Sequence, residues 1–127
     1  MEITDLFLIN RMIPVLTINK LETALPLCTA LIKGGLNVIE ITLRTKLTLD
    51  SVEILSKEFP EVRIGVGTLL DPQDLNRAKN SGACFAVSPG LNMDLVRQAE
   101  TVGLAYLPGI QTSSEAMTAY RYGLRAL

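Results

Sequence analysis

Short apolar or β-branched runs alternate along this chain with longer amphipathic stretches. The short runs predict strands, and the stretches with apolar residues three or four positions apart predict helices. The predicted strands are residues 12–18, 37–43, 62–67, 84–88 and 104–107. The predicted helices are residues 21–33, 48–59, 72–80, 93–102 and 113–122. Strands that alternate with helices in this way indicate a parallel sheet with helical crossovers.

The residues between these segments are typical of helix ends. Glycines follow four of the predicted helices, where a left-handed C-terminal residue belongs: Gly34 and Gly35, Gly82, Gly103 and Gly123. Asp71 and Pro72 have the order of an N-cap followed by the first helical residue. Thr112 with Glu115 three residues later predicts a capping box, although the same helix start could also receive an anion.

The spacing of the strand ends favours a particular α/β architecture. The ends fall near Arg44, Thr68, Pro89 and Pro108, which are 24, 21 and 19 residues apart. Units this compact favour a small (β/α)8 TIM barrel over an open doubly wound sheet. Eight units need roughly 200 residues or more. We therefore expect residues 1–127 to be a single domain holding about five βα units.

Five barrel strands cannot close on themselves, so two apolar strand edges would stay open. Two interpretations remain at this point. The sequence is part of a longer polypeptide, or the chain pairs with another chain through those edges.

Composition excludes several classes of function. The chain has 12 Lys and Arg against 13 Asp and Glu and a formal net charge of −1, which argues against nucleic-acid or anionic-membrane partners. No apolar run approaches the ~18 residues that cross a bilayer. Glu2 and Asp5 stand where a signal peptide is basic, and two distant cysteines suit a reducing compartment, so we expect a cytoplasmic protein. Without histidine, a zinc site or a His-based triad has almost no residues to draw on.

The most informative segment is residues 37–44 (NVIEITLR). Alternation places Val38, Glu40, Thr42 and Arg44 on one face of the strand, with Ile39, Ile41 and Leu43 on the other. The polar face would line the barrel interior, where a charge is costly unless it is paired or used. Glu40 could then be a general acid and base of raised pKa, and Arg44 could bind a carboxylate or phosphate at the C-terminal rim. The alternative is an exposed edge strand with solvated charges, or a Glu40 paired with a lysine.

Three further rim positions carry weaker signals. Gly65 and Gly67 precede a strand end and would admit a ligand closely, and Thr68 adds a hydroxyl there; the alternative is a tight turn with a helix-capping threonine. Pro89-Gly90 and Pro108-Gly109 each end a strand, so their backbone groups could face a ligand, although turn geometry explains them as well.

No nucleophile is apparent on an inward strand position. The lysines fall in predicted loops or helices: Lys20, Lys33, Lys46, Lys57 and Lys79. None of them occupies an inward strand position, where desolvation would activate a lysine as a nucleophile. Cys28 and Cys84 are interpreted as core residues.

Four segments jointly resemble one family, the bacterial 2-keto-3-deoxy-6-phosphogluconate (KDPG) aldolases, also called 4-hydroxy-2-oxoglutarate aldolases. They are residues 37–45 (NVIEITLRT), 64–68 (IGVGT), 85–91 (FAVSPGL) and 107–112 (LPGIQT), in order and at matching spacing. The resemblance implies a (β/α)8 barrel, a homotrimer, and a class I aldolase that needs no metal or other cofactor. Its substrate would be a keto acid that yields pyruvate, with glyceraldehyde 3-phosphate from KDPG or glyoxylate from 4-hydroxy-2-oxoglutarate.

The resemblance also implies roles for individual residues. Glu40 matches the family's general acid and base, and Arg44 matches a residue that contacts the pyruvoyl part of the substrate. Thr68 lies near the substrate's carboxylate and keto carbon, and the backbone of Pro89 lines the same pocket.

The family's Schiff-base lysine follows a stretch like residues 122–127 (YGLRAL), where this sequence stops. The lysine is a modified residue at which the chain breaks, the sequence is part of a longer protein, or the chain is truncated and inactive. Two other functions stay open: a phosphosugar isomerase or epimerase on the same barrel, and an inactive half-barrel that associates through its open edges.

Overall fold

The computed structural model describes residues 3–127, which form one parallel sheet flanked by helices. The strands are β1 (Val15–Leu16), β2 (Val38–Thr42), β3 (Arg63–Gly67), β4 (Phe85–Ser88) and β5 (Ala105–Pro108). The helices are α1 (Ile3–Ile9), α2 (Ala24–Lys33), α3 (Thr48–Glu58), α4 (Pro72–Asn80), α5 (Met93–Val102) and α6 (Ser113–Tyr122). The strands lie side by side in chain order, and every neighbouring pair is parallel.

All five predicted strands and all five predicted helices are present, and in only two of them does an end differ by more than one residue. The first strand covers only Val15–Leu16 instead of residues 12–18. The second helix begins at Ala24, after a 3-10 turn over Leu21–Thr23. Proline is tolerated in the first turn of an α-helix, because the backbone N–H groups there make no hydrogen bond within the helix. Pro26 would lie too deep in a helix beginning at residue 21, and it lies in the first turn of one beginning at Ala24.

Helix α1 was not predicted, and it closes the amino-terminal end of the sheet's inner face. Leu6 of α1 is buried against Val38 and Phe85, the first residues of β2 and β4. The other face of the sheet carries the main core, in which Ile39, Ile41 and neighbouring strand residues pack against the helices. Strand alternation therefore separates the two faces as predicted: isoleucines toward the helices, and Val38 toward the interior.

The predicted helix ends are confirmed with one exception. Asp71 caps α4 in a capping box with Pro72 at the first helical position, and Thr112 forms a capping box with Glu115 at α6. Left-handed glycines follow the helices at Gly35, Gly82, Gly103 and Gly123. The exception is Gly34, whose φ of −79° any residue can adopt. Among the helices that the structure describes, none is long and apolar enough to cross a membrane.

Gly65 is required by packing on the inner face. A Cβ placed there would lie 2.3 Å from atoms of the Phe85 ring, which is itself buried against α1. Because the ring has no free space to move into, we expect Gly65→Ala to lower the free energy of unfolding by about 1–3 kcal/mol. Chemical denaturation of the intact polypeptide measures this. Gly90→Ala is the matched control, since a Cβ at Gly90 would meet no atom within 4 Å. An equal loss in both variants would contradict this packing role.

Candidate active site

Glu40 lies in the middle of β2 on the inner face of the sheet. Its neighbours in register are Val15 on β1 and Gly65 on β3. The carboxyl group extends along β3 to Gly67, where a Cβ would lie only 1.7 Å from Glu40 Oε1. The expectation that Gly65 and Gly67 make room for a ligand is therefore wrong. Both glycines make room for side chains of the chain itself, the Phe85 ring at Gly65 and the Glu40 carboxyl at Gly67.

The surroundings of Glu40 favour its neutral form. Burial raises the pKa of the Glu40 carboxyl, and the nearby Arg44 guanidinium opposes this with a smaller lowering effect on the pKa. A half-buried carboxyl with a raised pKa holds its proton to higher pH than an exposed glutamate does. It can therefore both donate and accept a proton closer to neutral pH.

Arg44 lies at the rim, beyond the end of its strand. Strand β2 ends at Thr42, so Arg44 belongs to the following turn, and alternation along the strand does not set the direction of its side chain. The residue is exposed. The three ion pairs found among residues 3–127 lie on helix surfaces, and none involves Arg44 or Glu40. Glu40 therefore has no lysine partner among the described residues, against the alternative of a lysine-paired glutamate.

Thr68 follows β3 directly and has an unusual backbone. Its φ of 64° is the only positive value of a non-glycine residue in the described part of the chain. For a β-branched residue this conformation costs about 1–3 kcal/mol, and such residues cluster at functional sites. The alternative of a helix-capping threonine is wrong, because Asp71 caps the next helix.

Pro89 follows β4 and is exposed, and its backbone packs against the next strand end. A Cβ at Gly109 would lie 2.5 Å from the Pro89 carbonyl oxygen, so only glycine fits beneath that carbonyl. Pro89 and Gly90 also line a cavity of about 250 Å³ with Leu69, Leu70 and Leu91. A larger cavity of about 710 Å³ lies beside β5, α5 and residues 122–126, and it is lined by none of the four candidate residues.

A pair of hydrogen-bonded threonines, the buried Thr42 and the exposed Thr17, was not predicted as a unit. Thr42 Oγ1 donates to the Leu16 carbonyl at 3.0 Å, and the Thr17 and Thr42 hydroxyl oxygens lie 3.0 Å apart. Since Thr42 has a single hydroxyl proton, Thr17 is the donor of the second bond. These bonds join β1 to β2 at the rim. The sequence feature that could have pointed to this pair is the polar residue Thr42 on the inner face of β2.

The residues dismissed as nucleophiles lie where they were predicted. All five lysines lie in helices or loops, and Lys57 pairs with Glu53 on the surface of α3. Cys28 is buried in the core, and burial raises the pKa of its thiol to about 11. A thiol with this pKa is not a nucleophile at neutral pH.

Comparison with known proteins adds independent findings. A family model described as KDPG and KHG aldolase matches residues 3–127. The KHG/KDPG aldolase of Escherichia coli K12 is 43% identical over 113 residues, which are 89% of this chain and 53% of that protein. The 2-dehydro-3-deoxy-phosphogluconate aldolase of Pseudomonas aeruginosa is 45% identical over 115 residues, 91% of this chain and 52% of that protein. The chain thus spans about half the length of these curated relatives.

Solved structures agree in fold. The KDPG aldolase of Zymomonas mobilis ATCC 29191 superposes with a TM-score of 0.92 at 38% identity, over 98% of this chain and 60% of that one. The Legionella pneumophila enzyme, solved with pyruvate as a covalent carbinolamine intermediate, gives a TM-score of 0.90 at 37% identity, over 94% and 58%. The five βα units are those of the TIM-barrel-like α/β fold of these aldolases, and the chain belongs to the KDPG and KHG aldolase family.

Proposed function

We propose that the polypeptide containing this chain is a class I aldolase. It cleaves KDPG to pyruvate and glyceraldehyde 3-phosphate, 4-hydroxy-2-oxoglutarate to pyruvate and glyoxylate, or both. Residues 1–127 form the N-terminal portion of its single TIM-barrel domain, and the imine-forming lysine follows Leu127. The observation that carries the proposal is the half-buried Glu40 carboxyl, which extends over Gly67 toward the strand ends where Arg44 and Thr68 lie.

In this reaction Glu40 transfers a proton at each stage. The lysine amine adds to the keto carbon, and Glu40 gives the proton with which the carbinolamine hydroxyl leaves as water, so that an iminium ion and a Glu40 carboxylate remain. Glu40 then accepts the proton of the C4 hydroxyl as the C3–C4 bond breaks, and the electron pair of that bond moves to the iminium as an enamine. The aldehyde leaves, Glu40 returns the proton to C3, and water hydrolyses the imine to release pyruvate and the free lysine.

The other candidate residues hold the substrate. Arg44, Thr68 and Pro89 follow the carboxyl ends of β2, β3 and β4, which are neighbours in the sheet. The exposed Arg44 guanidinium is suited to the substrate carboxylate because its fork can make two parallel hydrogen bonds. Thr68 brings a hydroxyl toward the carboxylate and keto carbon, and the Pro89 backbone lines the pocket. The carbinolamine captured in the Legionella pneumophila enzyme supports the same chemistry here.

The partners that we infer are small keto acids and further copies of the same polypeptide. The nearly balanced charge supports the absence of nucleic-acid or membrane partners. We also infer a cytoplasmic homotrimer, which light scattering of the intact polypeptide would measure as three times the chain mass.

Borohydride trapping tests the proposed function. The intact polypeptide is incubated with pyruvate, reduced with borohydride, and weighed by mass spectrometry. We expect a gain of one reduced pyruvoyl group per chain on a lysine after residue 127. Omission of pyruvate is the control. A phosphosugar isomerase or epimerase forms no such imine, so an unchanged mass would contradict the aldolase proposal.

A further inference from the structure

Two buried hydroxyl groups lie behind the rim, on the face of the sheet that packs against the helices. Tyr106 of β5 belongs to the main core and is 7% exposed, and Ser88 at the end of β4 is 2% exposed. Their hydroxyl oxygens are within hydrogen-bond distance of each other. The Ser88 hydroxyl also donates to the Gly90 carbonyl at 2.7 Å.

The direction of these two bonds follows from the number of protons. A serine hydroxyl has one proton, and a carbonyl oxygen can only accept. Ser88 gives its proton to the Gly90 carbonyl, so the Tyr106 hydroxyl donates to Ser88. Burial raises the pKa of the Tyr106 phenol, which keeps that proton in place at neutral pH. The core is thereby connected to the Pro89–Gly90 loop through two hydrogen bonds in series.

The backbone of the same loop is held from the side of β5. Gly109 N–H donates to the Ser88 carbonyl at 2.9 Å, and the Pro89 carbonyl oxygen lies 2.5 Å from where a Cβ of residue 109 would be. Hydrogen bonds therefore hold the carbonyls of residues 88 and 90, and the carbonyl between them packs against Gly109, the residue that follows β5.

We propose that Tyr106 and Ser88 are positioning residues that orient the Pro89–Gly90 backbone toward the substrate. The inference rests on the proposed function, in which the Pro89 backbone lines the pocket for the pyruvoyl group. Neither hydroxyl touches substrate, because both lie on the helix-facing side of the sheet. Their effect reaches the site only through the Gly90 carbonyl.

The test uses variants of the intact polypeptide assayed for pyruvate release from KDPG. We expect Tyr106→Phe to raise KM about fivefold, the effect of one buried hydrogen bond, and Ser88→Ala to raise it about tenfold or more. Because the bonds are in series, Tyr106→Phe should add nothing in the Ser88→Ala background. Ser88→Thr keeps the hydroxyl, so its KM should stay near the wild-type value, unlike that of Ser88→Ala. Tyr120→Phe, at a tyrosine 63% exposed on α6, is the matched control and should leave KM unchanged.

Thermal stability separates positioning from a structural role. Ser88→Ala leaves the buried Tyr106 hydroxyl without a partner and should lower Tm, whereas the double variant removes that hydroxyl and should regain Tm. We expect KM to stay high in the double variant. A KM that recovers together with Tm would overturn the proposal, and so would wild-type KM in Ser88→Ala. If the wild-type polypeptide traps no pyruvate, the proposed function fails, which is a different result.

Discussion

Glu40→Gln is expected to lower kcat by about 10²–10⁴-fold, the usual contribution of a positioned general acid and base. Glutamine keeps the shape of the side chain, so it still fits over Gly67 but neither takes nor gives the proton. Steady-state cleavage of KDPG by the intact polypeptide measures the loss. Glu58→Gln is the matched control, because Glu58 is exposed on α3, away from the sheet's inner face. Unchanged turnover in Glu40→Gln would remove Glu40 from the mechanism.

The raised pKa of Glu40 adds a pH dependence with a definite sign. The acid limb of kcat/KM should lie above the usual glutamate pKa of about 4.3 and should vanish in Glu40→Gln. Arg44→Met removes a charge that lowers the pKa of Glu40, so its acid limb should move to higher pH. If neither substitution changes the acid limb of kcat/KM, that limb reports the titration of another group.

The raised pKa of Glu40 also makes the stability of the fold depend on pH, and here the charged form is the unfavourable one. A carboxyl whose pKa is raised by folding contributes stability that is complete below its unfolded pKa and is lost as pH rises through the folded pKa. The wild type therefore loses this stabilisation as pH rises through the folded pKa of Glu40, whereas Glu40→Gln has no carboxyl to ionise and loses nothing. The inactive variant should therefore be at least as stable as the wild type, which thermal unfolding measures.

Gly67→Ala is expected to reduce kcat at least tenfold while retaining most of the stability, because the three atoms nearest to a Cβ at position 67 all belong to the Glu40 side chain. The flexible carboxyl end can move aside, so the free energy of unfolding should fall by only about 1 kcal/mol. The displaced carboxyl would no longer lie over β3. Parallel kcat and unfolding measurements on the intact polypeptide test this separation.

Two comparisons make the Gly67 prediction specific. In a Glu40→Ala background the clashing atoms are absent, so Gly67→Ala should have no further effect on stability or turnover. Gly65→Ala, which meets the confined Phe85 ring, should lose more stability than Gly67→Ala. Full activity in Gly67→Ala would show that the carboxyl position over Gly67 is not needed.

Local signals were enough to predict most of the secondary structure. The alternation of residues 38–42 set the two faces of β2, and the pairs Asp71-Pro72 and Thr112-Glu115 set the starts of α4 and α6. Helix α1 could not be predicted in this way, because only Leu6 is buried and its partners Val38 and Phe85 are distant in sequence.

The candidate site was predictable in its charges but not in its packing. A glutamate on the inner face of a parallel strand is costly to bury, and that cost made Glu40 stand out. The side chain that lies over Gly67 depends on the register between β2 and β3. The sequence pattern within either strand does not determine that register. The Ser88–Tyr106 bond likewise joins residues 18 positions apart on neighbouring strands.

The exchange of pyruvate methyl protons with D2O tests the role of Glu40 most directly, since exchange needs both the enamine and a group that moves a proton at C3. Proton NMR follows the loss of the methyl signal in the presence of the intact polypeptide, and borohydride trapping verifies the imine in each sample. We predict rapid exchange with the wild type, and exchange slowed by at least about 10²-fold with Glu40→Gln although the imine still forms at equilibrium. Exchange at the wild-type rate in that variant would contradict the account.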